Sequence, residues 1–218
     1  MIRQVPRLFY APTASWSRIH DTSQEHPGGF IPLLLLGSLI PAISVFYGAT
    51  FSGWEMFGSD KREFLSQHSA LLLAAAVWLA YVSNAIIMGF MIRWVLFRQP
   101  SRPSVMRGMA FATLLSVPFM LGGLVALYPA RWLLLLAIPI VVGYAAVQLY
   151  IGLPIFMRLD RGKANFYGIC ILAVGMLTML CVGLFYMETW RELSPFGGYQ
   201  GVEEQQAEER QLERDIGL

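Results

Sequence analysis

The chain has 218 residues, 56% of them hydrophobic and 14% charged, with a mean hydropathy of +0.54. Soluble domains carry about 25% charged residues, so this composition excludes an ordinary soluble protein and indicates a lipid environment. The net charge of +2 is no signature of nucleic-acid binding, because the charges are segregated between and outside the apolar runs.

Residues 1–29 precede the first long apolar run. They do not read as a signal peptide, because no apolar stretch comes early enough and four further runs follow the first. Leu8 to Ile19 reads as a short interfacial helix. Pro12 suits a first helical position, and Trp16 and Ile19 share a face. Trp16 beside Arg18 is an arrangement suited to a membrane surface. An ordered leader packed on the rest of the protein is an equal and compatible alternative.

Five transmembrane helices are predicted, over about 30–50, 66–92, 108–128, 132–157 and 164–187, each near or above the ~20 residues that cross the hydrocarbon. In the first, Pro41 predicts a kink near Ile40, and Trp54 and Phe57 beyond its end read as interface anchors. The loop Gly58 to Glu63 that follows is charge-balanced. The second span holds Ser83 and Asn84 deep within it, and Trp94 and Phe97 mark its end. The third and fourth form a hairpin from Gly108 to Met157, free of acidic and basic side chains except at the turn Tyr128-Pro129-Ala130-Arg131. Pro118 lies in mid-span. Gly108, Ala112 and Ser116, and again Gly122 and Ala126, form small-residue faces that let helices approach closely in lipid; a neighbour within the same chain is favoured over a second copy. The fourth span contains Pro139, Pro154 and a single amide, Gln148. The fifth ends at Tyr186 and Trp190. Residues 191–218 read as a mobile acidic tail, with eight acids and three arginines from Glu188 onward.

Orientation follows the Lys and Arg of the short loops. Ten lie in the N-terminal segment and in the second and fourth loops; three lie in the first and third. The N-terminus is therefore expected in the cytoplasm and the tail in the periplasm. The expected fold is all-α, an integral membrane bundle of five transmembrane helices formed by residues 30–190.

Several stretches resemble the Yip family, the Ypt/Rab-interacting membrane proteins, and most closely its bacterial branch. They are Ile40-Pro41-Ala42-Ile43 leading to Gly48-Ala49-Thr50-Phe51-Ser52-Gly53-Trp54; Pro118 to Pro129 with Trp132 after it; Gly143-Tyr144 followed by Leu149-Tyr150-Ile151-Gly152-Leu153-Pro154; and Phe9, Pro12, Trp16 and Ile19. The Leu124-Val125-Ala126-Leu127-Tyr128-Pro129 run is the most specific, and the resemblance extends roughly over residues 8–190. It implies a five-span protein of the bacterial inner membrane. Eukaryotic members associate with prenylated Rab GTPases and take part in vesicle traffic and organelle shape, through a longer N-terminal region with an acidic-Leu-Gly-Pro motif. No such motif stands here, so that role does not carry over.

Candidate sites are few. Asn84 and Gln148 are the amides deep in spans and must find partners inside the bundle. Interhelical bonding, with Ser83 and Tyr144 nearby, is the preferred role; a polar path that also includes Tyr81 is the alternative. Arg93, Arg98, Arg102 and Arg107 form a cluster suited to anionic lipid headgroups, although setting topology already requires positive charge there. Asp160 and Lys163 at i, i+3 read as a helix-start arrangement. Cys170 and Cys181 are about 16 Å apart along one helix and do not bridge. No Cys/His metal spacing and no nucleophile with a base in a compatible span occur, and His68 lies near a span end. The expectation is a non-enzymatic protein of the Yip type without a cofactor, which organises membrane or binds lipids, other membrane proteins or itself. The alternative is a small-solute, ion or lipid transporter or channel.

Overall fold

The computed structural model describes residues 4–55, 62–99 and 102–196. Two short helices, α1 (Val5–Tyr10) and α2 (Pro12–Glu25), form the leader. The first span, Ile31–Ser52, is broken into α3 (Ile31–Gly37), α4 (Leu39–Tyr47) and a π-helical turn over Gly48–Ser52. The other spans are α5 (Gln67–Val95), α6 (Val105–Gly122) with a 3-10 extension Gly123–Leu127, α7 (Arg131–Met157) and α8 (Arg161–Phe196). All five are long and apolar enough to cross a membrane. A two-residue antiparallel pairing of Trp54–Glu55 (β1) with Arg62–Glu63 (β2) closes the loop after the first span.

The break at Ser38 follows from Pro41. Its nitrogen cannot donate to the carbonyl of Gly37, and its ring crowds that carbonyl. Ser38 Oγ donates to the Leu34 carbonyl at 2.6 Å, and Trp78 Nε1 on α5 donates to that of Leu35 at 3.2 Å. The disrupted turn is thereby tied to the next span.

The last four spans close a ring. Helix α5 packs on α6 and α8, and α7 packs on the same two. The broken first span lies outside this ring against α5 and α6, and the leader packs on α7. The α5–α6 seam is tightest at Gly89 and Gly108: a Cβ built on Gly108 would lie 2.6 Å from the Gly89 carbonyl oxygen. The small face beginning at Gly108 therefore serves a helix of the same chain.

Helix α8 is the least covered span, with Phe166, Ile169, Leu177, Leu180 and Phe185 exposed along it, as suits a lipid-facing helix. It runs through residues 191–196, which were expected to belong to a mobile tail. Trp190 explains part of the extension, being buried against Trp54 with ring centroids 5.5 Å apart. Trp54 also meets Tyr186, so it packs inward rather than anchoring at the interface. Phe57, most of the first loop and the acidic tail beyond Phe196 lie outside the described residues.

Candidate functional site

Two sites emerge on neighbouring faces of α7. The first is the seat of the leader. Tyr144, Gln148, Gly152 and Phe156 recur every four residues and form one stripe. Trp16 is wholly buried against it, and its indole N–H donates to Gln148 Oε1 at 3.0 Å. Gln148 Nε2 donates to the Leu8 carbonyl at 2.8 Å and to Tyr144 Oη at 2.7 Å. Tyr144 Oη donates to the same Leu8 carbonyl at 3.2 Å, while its ring stacks on Phe9 with centroids 5.3 Å apart. A Cβ on Gly152 would stand 2.5 Å from Trp16 Cε2, so only glycine admits the indole. Farther along, His20 Nδ1 lies 2.8 Å from the Phe156 carbonyl oxygen, a distance at which a protonated Nδ1 donates. Phe111 of α6 completes the pocket, its ring centroid 5.1 Å from that of Trp16.

The leader is thus an ordered part of the bundle. Of the two compatible readings of the leader, the packed one is seen: Trp16 is a core residue whose N–H the Gln148 side-chain carbonyl satisfies away from water. Exposed Tyr10, Thr13, Ser17 and Arg18 lie on the opposite side of the leader. The shared face of Trp16 and Ile19 was the available signal, and His20 and Ser23 extend it.

The second site is a partly open cavity of about 220 Å³ between α5, α6, α7 and α8, with the lining residues Met176, Met179 and Val182 of α8 exposed. Asn84 faces it; Gln148 does not. The two amides, read together from the sequence, therefore face different surroundings. Tyr81 lines the cavity and donates its hydroxyl to the Phe119 carbonyl at 3.2 Å. Ser116 and Thr178 also line it, and each donates to a carbonyl of its own helix. Asn84 alone of these has no hydrogen bond to another described residue. Ser83, one residue earlier, is exposed on the outer surface.

The basic cluster divides. Arg93 Nη1 donates to the Pro103 carbonyl at 2.9 Å and braces the loop between α5 and α6. Arg98 and Arg102 are exposed and Arg107 is half-buried. The Arg98 guanidinium lies 5.4 Å from the Phe97 ring centroid. Antiparallel connectivity brings these residues to the same end of the bundle as Arg158 and Lys163, and Lys163 stands 3.9 Å from Asp160 in an exposed pair. His68 is exposed on the first turn of α5. Cys170 and Cys181 are free thiols. Among the described residues no group of three or more metal-ligating side chains forms.

These features define a polytopic α-helical membrane protein with a docked N-terminal leader. A family model described as the Yip1 domain matches residues 7–182, and the chain belongs to that family. It is 34% identical over 172 residues to the inner membrane protein YohC of Escherichia coli K12, covering 79% of this chain and 88% of the relative. The YohC of E. coli O6:H1 matches to the same extent. No solved structure matches. With five spanning helices and inner-membrane relatives, the chain is a multi-pass protein of the bacterial inner membrane.

Proposed function

We propose that this Yip-family protein is a non-enzymatic organiser of the inner membrane that binds lipids at the end of the bundle where its basic loops gather. One observation carries the reading: the leader packs along the half of α7 that leads to Arg158. Helical mass and basic side chains are then concentrated in one leaflet, the cytoplasmic one by the Lys and Arg count. A bundle wider in one leaflet displaces lipid unequally, and its cations attract anionic headgroups. A structural or recruiting role needs no more chemistry than this.

The experiment is native mass spectrometry of protein released with minimal delipidation. Anionic phospholipid is expected to co-purify and to be lost when Arg98, Arg102 and Arg107 are changed to Gln. Arg93→Gln, which removes the brace on Pro103, is expected to lower thermal stability while the lipid adduct persists. Bare wild-type protein, or lipid indifferent to the triple change, would overturn the proposal.

Transport is the second reading, and the unpartnered amide of Asn84 in the central cavity favours it. Against it, no acidic or basic side chain lines that cavity, whereas ion-coupled carriers usually place one in the membrane.

A further inference from the structure

Between the four helices of the ring lies a cleft, partly open on its α8 side where Met176, Met179 and Val182 are exposed. Tyr81, Ser116, Ala145 and Met176 all line the cavity, and each stands at or beside the centre of its span. Packing in membranes rests on van der Waals contact between helices, so a cleft between them forfeits those contacts unless something fills it. A dry, apolar cavity of about 150 Å³ in a soluble protein takes up benzene; this one has about 220 Å³. Gly175 lies on its wall, and a Cβ placed there would come no nearer to another group than 3.9 Å, at Met88 Cε.

Asn84 narrows the class of occupant. Its amide offers donors and an acceptor, while Tyr81, Ser116 and Thr178 already spend their protons on carbonyls. A polar group left without a partner in an apolar setting costs about 1–3 kcal/mol. The rest of the lining is apolar apart from the hydroxyls of Tyr81, Ser116 and Thr178, so an occupant with one polar group on an apolar body fits it better than water, which needs two to four polar partners. A phospholipid is ill suited, because its ester oxygens stay at the interface, about 15 Å from the midplane of a ~30 Å hydrocarbon core. Asn84 stands one turn of α5 from the span centre at Tyr81, about 4.5 Å along the axis.

We infer that the cavity is a binding site for a neutral lipid with a carbonyl or hydroxyl on an otherwise apolar body, which exchanges a hydrogen bond with Asn84. The inference deepens the lipid-binding reading and rests on it, but it concerns a different lipid and a different site from the basic end.

The test adds a decyl-chain benzoquinone, a fifteen-carbon isoprenol or hexadecane to the purified full chain and reads adducts by native mass spectrometry and thermal shift. One equivalent of the quinone or the isoprenol is expected to bind and stabilise the protein. Asn84→Leu should weaken that binding about tenfold, the loss of one buried hydrogen bond. Gly175→Leu should abolish it by filling the space. Both variants should keep the anionic phospholipid adduct, so failure here is distinguishable from failure at the basic end. If Gly175→Leu does not fold, Asn84→Leu carries the test alone. Absence of both polar adducts, binding unaffected by Asn84→Leu, or hexadecane bound as tightly as the polar probes would each overturn the inference.

Discussion

The indole N–H of Trp16 reaches the side-chain carbonyl of Gln148 at 3.0 Å, joining positions 132 residues apart. That bond, with the two that Gln148 Nε2 donates, locks the leader onto the fourth span. The leader is covalently tied to the bundle only through α3, so this network decides whether it is docked.

Replacing Gln148 by Leu keeps the volume but leaves the Trp16 N–H without its acceptor and the Leu8 carbonyl with Tyr144 Oη alone. A buried polar group so abandoned costs about 1–3 kcal/mol. A loss of that size is expected in reversible unfolding in detergent. Trp16→Phe, which leaves Gln148 Oε1 without its donor and opens space beside Phe111 and Phe156, should cost at least as much. Equal stability of Gln148→Leu and wild type would show that the network does not hold the leader.

Gly152 tests the same seat sterically. Even Ala places its Cβ 2.5 Å from Trp16 Cε2, and the indole, wedged between Phe111 and Phe156, has nowhere to retreat. Gly152→Val is expected to expel the leader while the five spans stay folded. The readout is thiol labelling of Ile19→Cys in a background without Cys170 and Cys181. The buried position should be inert in the parent and reactive in the variant.

The α5–α6 crossing should be less forgiving. A side chain on Gly108 meets the backbone of Gly89, not a flexible side chain. Forced overpacking costs about 1–3 kcal/mol, so Gly108→Val is expected to lower the yield of folded protein and its melting temperature. Gly143→Val, where a Cβ meets nothing within 4 Å, should leave both unchanged.

Pro41 shows how far local rules carry. Its missing N–H predicts a disturbance in the first span, and the helix does part, at Ser38. The partner that catches the freed turn, Trp78, lies on another helix and has no local signal. Asn84 and Gln148 show where such rules stop. Both are polar residues in apolar spans, and each must face protein, but composition does not say which part of it. Gln148 belongs to the leader, its neighbours Ala145 and Leu149 to the cavity.

The sequence by itself determined the membrane class, the five spans and the family, because a bilayer demands about twenty apolar residues per crossing whatever their neighbours. The tertiary structure decided which polar groups meet. Successive helical residues point about 100° apart, so a single step along α7, from Gln148 to Leu149, turns from the leader to the cleft between the helices. Only the placing of the surrounding helices determines what each direction faces.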